Sequence, residues 1–430
     1  MPYQRARGTA DEFPEDLVVV ERLERLAREL FRRFGAREVR TPLLEETRLF
    51  ERGLGEGSDV VSKEMFTVER EGSSYTFRPE GTAGVVRAYL EKGLHKTRPV
   101  QKLFYVGPMF RFERPQAGRM RQFSQIGLEL LGSLDPIFDA EAIHLAGRFF
   151  EEAGLPGVEA RVNSMGDRED LDAFREKVRD WAAPTLAQRG CEDCKARFAR
   201  NVLRILDCKN ERCREINKTA PKMLDVLTPA SRAHLDSVVA ALKSVGREVT
   251  IDPSIVRGFD YYTRTVFELH HPKLGARSAV CGGGRYDHLI EELGGPDLGA
   301  VGFAIGIVPT IVALDQLGVA REAPARELDA FVIALEGVDR LLAFRLVDAL
   351  RKAGLAADLD HPEGADAKPR SMKAQLRAAD RTRASVAVIV GPDEVKRGAL
   401  NVKHMSGGRE SIVAIEPLDQ AAAQIRRAIE

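Results

Sequence analysis

Net charge is the first thing missing. Across 430 residues, 65 basic side chains are matched by 65 acidic ones. That balance excludes a uniformly basic nucleic-acid coat, because any grip on phosphate must then come from local patches. Cysteine is also scarce. There are five, one of them isolated at Cys281, which argues against an oxidised, secreted scaffold. Long apolar runs are lacking too. The longest uncharged stretch, 298–314, is bounded by Asp297 and Asp315 and broken by Gly299, Gly302, Gly306 and Pro309. It reads as a buried strand leading into a helix, not as a membrane span. The first residues carry no apolar core behind their basic side chains, so no secretory signal is expected and the expected compartment is the cytoplasm. Several catalytic signatures are missing as well: the Gly-x-x-x-x-Gly-Lys-Ser/Thr phosphate loop, His-Glu-x-x-His, a Gly-x-Gly-x-x-Gly after a strand, and the Gly-x-Ser-x-Gly elbow. Internal repeats and low-complexity tracts are not found.

What is present is an ordinary globular composition, 44% apolar and 30% charged, on a chain long enough for two or three domains. Leu17, Val20, Leu23, Leu26, Leu30 and Phe34 recur at helical spacing, predicting a helix over about 15–34 that stops at Gly35. From there to Gly132 the pattern is mostly strand-like. Runs at 102–110 and 124–131 flank a hairpin loop over 112–121, and short links between sequential strands predict an antiparallel sheet. Residues from about 169 to 245 turn helical and read as an insertion. Strand patterns return at 263–271, 277–282 and 300–305. Beyond a linker at 321–328, strand-like 331–335, 355–359 and 385–390 alternate with helices near 338–353 and 371–379, and a last helix spans 418–429. This second unit is a small α/β domain.

Three polar-aromatic turns fall in the first unit. In the hairpin, Arg111, Arg114, Arg119 and Arg121 are opposed only by Glu113. Period two along the following strand puts Phe123, Gln125, Gly127, Glu129 and Leu131 on one face, while Ser124, Ile126, Leu128 and Leu130 take the other. Gly127 would leave room there for a ligand, and polar groups on a rigid sheet can be held in fixed positions. The bland alternative is a half-exposed sheet face beside a solvated basic loop. Arg78-Pro-Glu-Gly-Thr82 brings a carboxylate and a hydroxyl to another strand end, or else forms a plain helix cap opened by Thr82. Arg257-Gly-Phe-Asp-Tyr-Tyr262 combines a guanidinium, a carboxylate and two aromatics. The glycine-rich Cys281-Gly-Gly-Gly-Arg-Tyr-Asp287 lacks the lysine and spacing of a phosphate cradle, and by itself suggests a strand end that a backbone or ligand approaches closely.

Together these segments resemble the class II aminoacyl-tRNA synthetases, and within them the histidyl-tRNA synthetase family. Arg40-Thr-Pro-Leu-Leu-Glu45 is similar to the first class II motif and 104–129 to the second. Residues 255–262 and 282–287 are similar to the histidine-specific motifs. The class I signatures are absent. The resemblance implies an α+β fold, with the class II antiparallel sheet flanked by helices in a catalytic domain over 1–325. It also implies a helical insertion at about 169–250 and a C-terminal α/β anticodon-binding-like domain over 326–430. The implied chemistry is activation of L-histidine by ATP with Mg2+, then transfer to the 3′ end of tRNA. By resemblance, Arg111 and Arg257 are catalytic. Glu80, Gly81, Thr82, Gln125, Glu129, Tyr261, Tyr262 and Tyr286 hold histidine. Arg111, Glu113, Arg121 and Phe123 hold ATP, and the first motif builds a homodimer.

Two positions depart from the family pattern. Ser124 stands where histidine is usual, but on the face turned away from the site. Pro309 ends Gly302-Phe-Ala-Ile-Gly-Ile-Val-Pro309 where an arginine for the ATP triphosphate is expected, at a position that would suit the first turn of a helix. Cys191, Cys194, Cys208 and Cys213 have spacing that a structural zinc would tolerate, but four incidental reduced thiols are the preferred reading, so no metal site is assigned. Lys373, Arg377 and Arg381 fall at i, i+4 and i+8 among Lys368, Arg370 and Arg383, and are expected to meet tRNA. The competing functions are a histidine-sensing paralogue, such as the regulatory subunit of ATP phosphoribosyltransferase, and a tRNA-binding protein without catalysis.

Overall fold

The structure, a computed structural model, describes residues 3–55, 58, 60–113, 120–206, 208, 210–255, 261–277, 279–319, 327–362 and 368–429. It divides into two compact units, Met1–Glu322 and Ala323–Glu430. Among the described residues no helix is long and apolar enough to cross a membrane.

Among the described residues, eleven strands lie in the first unit: β1 (Arg37–Glu38), β2 (Leu44–Glu46), β3 (Phe66–Arg70), β4 (Ser73–Phe77), β5 (Gln101–Phe110), β6 (Gln122–Leu131), β7 (Glu159–Ser164), β8 (Val249–Ile251), β9 (Thr263–His270), β10 (Ala279–Arg285) and β11 (Ala300–Gly306). β2, β4 and β3 form a small sheet, and the others form one eight-stranded sheet in the order β1-β5-β6-β11-β10-β9-β7-β8. Its neighbours run antiparallel except at the edges, where β1 pairs parallel with β5 and β8 with β7. The expected antiparallel sheet is therefore present.

Each face of the large sheet carries its own core. On one side Ile126, Leu128 and Leu130 of β6 pack with Leu23, Leu30 and Phe31 of the helix Pro14–Arg33 and with Ile143, Phe149 and Phe150 of the helix Pro136–Ala153. On the other, Leu103, Tyr105 and Met109 of β5 meet Val85, Val86 and Tyr89 of the helix Thr82–Glu91. The alternation expected for β6 is thus present, with Ile126, Leu128 and Leu130 in the first core and Gln125 and Glu129 sharing the other face with Phe123 and Leu131. The glycines of 282–284 lie inside β10, paired to both β9 and β11, and not at a strand end as the sequence suggested.

The insertion is helical as expected, from the helix Arg168–Ala182 to the helix Pro229–Ser244. It has a small core of its own, including Phe174, Val178, Leu186, Ile205 and three of the cysteines. Asp170 joins its ends, accepting from the Thr228 backbone N–H and the Ser231 hydroxyl.

In the second unit, β12 (Ala330–Ala334), β13 (Ala357–Leu359), β14 (Val386–Val390), β15 (Ala399–His404) and β16 (Glu410–Ala414) form a sheet ordered β13-β12-β14-β15-β16. The parallel half follows the expected alternation. The antiparallel pair β15–β16 was not expected, because apolar residues fall on both of its faces, with Leu400, Val402 and Val413 inward and Ile412 exposed outward, which blurs the alternation.

Candidate active site

Three rows of residues cross the centre of the large sheet. Gly107, Gln125 and Gly306 are in register, as are Tyr105, Gly127, Ala304 and Gly282, and then Leu103, Glu129, Gly302 and Gly284. Each row holds one large side chain or two among glycines and alanine, so the long groups lie down across neighbouring strands. A Cβ at Gly127 would sit 2.1 Å from Tyr105 Cζ, and one at Gly302 would sit 2.0 Å from Glu129 Oε2. The space over Gly127 is therefore taken by the Tyr105 ring, not by a ligand as the sequence suggested. Gly81 faces the same ring, its Cβ position 2.2 Å from Tyr105 Cζ, so it makes room for a protein side chain. Tyr105 went unrecognised in the sequence. Its signal is a tyrosine directly opposite a glycine across a hairpin.

Above this floor is a cavity of about 210 Å³ lined by Glu80, Thr82, Tyr105, Arg111, Gln125, Tyr261, Tyr262 and Tyr286, with Gly282, Gly302, Phe303 and Ala304. Seven of the residues expected at the site meet here from four separate segments. Tyr261 packs on Tyr262 at 4.6 Å and edge-on to Tyr286 at 5.5 Å, forming one aromatic wall.

Glu129 lies immediately behind the lining and is almost fully buried. Thr82 Oγ1 donates to its Oε1 at 2.8 Å, and the Tyr286 hydroxyl donates to its Oε2. Burial pushes its carboxyl up to about 8, with the neighbouring Glu80 adding to the rise and the two hydroxyl donors opposing it. With their hydrogen-bond donors committed to Glu129, the Thr82 and Tyr286 hydroxyls have only acceptor lone pairs left to offer. Gln125 Oε1 is buried and meets no donor among the described residues. The site is thus rich in acceptors and suits a ligand carrying several N–H groups.

Glu80 is committed differently. Its carboxylate accepts from the backbone N–H groups of Thr82 at 2.6 Å and Ala83 at 2.9 Å, satisfying the start of the helix Thr82–Glu91. Thr82 does open that helix, but the cap is supplied by Glu80 and the Thr82 hydroxyl is spent on Glu129. Burial raises the Glu80 carboxyl, against the two N–H donors and the charge of Arg111. Arg78 of the same turn is structural: it donates to Pro108 O at 2.9 Å and to Thr41 Oγ1 at 3.0 Å, tying the first motif to β5.

Arg111 follows β5. Its Nε donates to Pro79 O at 2.8 Å, and its guanidinium lies 5.5 Å from the centre of the Phe123 ring. A cation and an aromatic face are thus presented side by side. Arg121 is not among the cavity-lining residues. It lies 3.9 Å over the Phe112 ring and donates to Arg7 O at 3.3 Å, holding the N-terminal segment. Glu113 is likewise not in the lining, and its carbonyl accepts from Arg121 Nε at 3.4 Å. Arg257, Arg114 and Arg119 lie outside the described residues. Ser124 pairs with Pro108 across the hairpin and does not line the cavity. Pro309 is the third residue of the helix Ile307–Gln316, not the first. The fold tolerates it because N–H groups of the first turn have no intrahelical partner.

Behind the aromatic wall, Arg285 is fully buried. It donates from Nε to both Asp139 oxygens at 3.1 Å, from Nη1 to Asp287 at 2.8 Å and to Ser133 O at 3.0 Å. Burial alone would raise the Asp139 carboxyl, but the Arg285 charge outweighs it, helped by His234, and holds the group below its usual range. This network fixes the end of β10, and with it Tyr286. Its role was not legible in the glycine-rich motif.

In the second unit, Lys373, Arg377 and Arg381 are exposed on the helix Met372–Arg381, whose opposite face buries Gln375, Ala378 and Ala379. Their neighbours are neutralised: Lys368 pairs with Glu336 at 3.0 Å, Arg370 with Asp360, and Arg383 with Glu327 at 4.0 Å. Within this basic cluster, Lys373, Arg377 and Arg381 are the residues with no ion pair among the described residues.

Comparison with known proteins gives the same picture. The sequence model of the histidyl-tRNA synthetase family matches residues 8–309, and that of an anticodon binding domain matches 329–424. A histidine–tRNA ligase of Anoxybacillus flavithermus is 44% identical over 421 residues, covering 96% of this chain and 97% of the relative. One of Fervidobacterium nodosum is 45% identical over 410 residues, covering 95% of each. Among solved structures, apo S. aureus histidyl-tRNA synthetase aligns with a TM-score of 0.80 at 31% identity, covering both chains completely. A Bacillus halodurans protein named ATP phosphoribosyltransferase regulatory subunit/histidyl-tRNA synthetase aligns with a TM-score of 0.64 over 91% of this chain and 99% of its own, and at 20% identity it shows the fold alone. This chain, with its class II sheet, its glycine-carved pocket and its second unit, belongs to the histidyl-tRNA synthetase family.

Proposed function

We propose that the chain is a histidine–tRNA ligase: it condenses L-histidine with ATP to histidyl-adenylate, releasing pyrophosphate, and passes the histidyl group to the 3′ end of tRNA(His). The observation that carries this reading is the acceptor-lined cavity beside Arg111. The amino acid's ammonium group would meet the acceptor oxygens of Thr82 and Gln125 and the carboxyl of Glu129, whose ionisation the incoming cation would favour, and the aromatic wall of Tyr261, Tyr262 and Tyr286 would enclose the imidazole.

Histidine's carboxylate would attack the α-phosphorus, and negative charge would grow on the phosphoryl oxygens as pyrophosphate leaves. A guanidinium fixed by Pro79 O stabilises that charge without reorganising, which is the role of Arg111. Arg257 would supply a second cation, and Phe123 a face for adenine, with Glu113 and Arg121 further along the ATP side. Among the described residues lining the cavity, the one carboxylate, Glu80, is engaged by the helix start. The ion would arrive on the ATP phosphates as part of the substrate.

The first unit would carry the catalysis, with its helical insertion at about 169–250, and the second would read the anticodon, the stripe of Lys373, Arg377 and Arg381 lying against RNA phosphates. The first class II motif would pair two copies as a homodimer, working in the cytoplasm.

Pro309 favours the histidine-sensing alternative, since it removes a cation from the ATP side. Retention of the residues 255–262 and of a second unit speaks against it. The experiment is histidine-dependent ATP–pyrophosphate exchange measured beside aminoacylation on one preparation. Both activities are expected. Absence of exchange at saturating ATP would refute the ligase, and exchange without tRNA charging would refute the assignment to the second unit.

A further inference from the structure

The four cysteines of the insertion come as two close pairs in sequence, and in space the pairs meet. Their sulfurs all fall within 4.8 Å of each other. Cys191 and Cys194 come from the start of the helix Glu192–Arg200, Cys208 from the connection before the next helix, and Cys213 from the helix Glu211–Asn217. Cys194, Cys208 and Cys213 are buried, and Cys191 is partly so. We propose that these four thiolates form a structural zinc site that holds the helical insertion together.

Three observations support it. The first is size. With Zn–S bonds of about 2.3 Å, the edge of a tetrahedral tetrathiolate is about 3.8 Å. Cys191 Sγ and Cys208 Sγ stand 3.7 Å apart. Four sulfurs gathered this tightly enclose a single ion and are too close together to enclose a multi-iron cluster. The second is a donor placed on a sulfur: the Cys191 backbone N–H donates to Cys213 Sγ at 3.3 Å, a contact that favours a thiolate and orients it, as outer partners of metal ligands do.

The third is need. The core of the insertion contains ten buried residues among those described, and three of them are these cysteines. So small a core does not fix several short helices, and a metal is a common remedy. Incidental thiols would have no reason to converge from three separate segments on one point. On binding, each thiol loses its proton to solvent, so up to four protons are released and a site of formal charge −2 remains. No histidine or carboxylate is grouped with the four sulfurs among the described residues, and an all-thiolate set selects zinc over magnesium or calcium.

The test is elemental analysis of the full chain purified under reducing conditions with zinc in the growth medium and passed through metal-free buffer. Roughly one zinc per chain is expected. Cys194→Ser and Cys213→Ser should each lose nearly all of it, while Cys281→Ser should keep it. Cobalt exchanged into the wild type should give the intense visible bands of a tetrahedral tetrathiolate, a signature that incidental binding at surface carboxylates lacks. Chelation after thiol modification should release the metal and lower the unfolding midpoint. Zinc-free wild type, iron in place of zinc, or zinc retained when all four cysteines are serine would each overturn the assignment. So would two disulfides found by thiol counting in unreduced protein. The wild-type measurements stand even where a serine variant fails to fold.

Discussion

Replacing Glu129 by glutamine changes one buried atom and reverses the polarity of the site. In the wild type the Thr82 and Tyr286 hydroxyls both donate to the carboxyl, so the cavity is left with acceptors. A glutamine nitrogen at Oε2 would donate to the tyrosine oxygen and turn the Tyr286 proton outward. The histidine ammonium then meets a donor and loses a neighbour that can ionise beside it. A hydrogen bond to a charged group contributes about 1.5–3 kcal/mol. The KM for histidine in pyrophosphate exchange should therefore rise roughly 10- to 150-fold.

Stability should move the other way. The Glu129 carboxyl is raised from 4.5 to about 8. The folded protein thus holds a proton that the unfolded chain releases, and wild-type stability falls as pH climbs from about 4.5 to about 8. Full ionisation of a group so shifted corresponds to roughly 5 kcal/mol. Glu129→Gln has no such term, so its advantage over wild type in chemical denaturation should grow between pH 5 and pH 8 and level off above. Wild-type histidine affinity, corrected for the ligand's own titration, should improve as pH approaches 8, while the variant's should not. A variant whose KM stays within about threefold of wild type, or whose relative stability does not depend on pH, would refute the reasoning.

Arg285→Met leaves Asp139 and Asp287 buried beside an apolar side chain, so unfolding free energy should fall by about 3–5 kcal/mol, read by denaturant titration. Because the Asp139 carboxyl is held below its ordinary 3.8, the stability it supplies is present above that pH and lost as pH falls through the lower folded value; the variant should lack that acid-side dependence. Gly127→Ala places a methyl 2.1 Å from the Tyr105 ring, and should cost about 1–3 kcal/mol while raising the KM for histidine, since the ring must leave the pocket floor. Arg111→Ala should lower kcat for exchange by about 10²–10³ with folding intact, as judged by circular dichroism. Charge reversal at Lys373 and Arg377 together should raise the KM for tRNA and leave pyrophosphate exchange unchanged.

Most of the sheet and half of the site were legible in one sequence because their signals are local. Period two along 122–131 assigns Gln125 and Glu129 to one face whatever packs against it, and the helix over 14–33 announces itself by spacing. The hairpin β15–β16 escaped because its outer face mixes the exposed Ile412 with polar Asn401 and Lys403, leaving little hydrophobic contrast between faces. The cysteines at 191, 194, 208 and 213 were legible only as a spacing, which states which residues are sulfur and not whether separate loops fold onto one point.

The sequence alone determined the class of chemistry, through residues whose types and order resemble one family over nearly the whole chain, and it determined the two basic features hidden inside a net charge of zero. Only the tertiary structure decided what each group is free to do. Glu80 became a helix cap, Thr82 and Tyr286 became donors to Glu129, Arg121 became an anchor for the N-terminal segment, and Tyr105 filled the space that Gly127 had seemed to offer a ligand. The reason is that hydrogen-bonding capacity is finite. A side chain's type fixes how many bonds it can make, but which partners use them up is settled by residues distant in sequence that packing brings within reach.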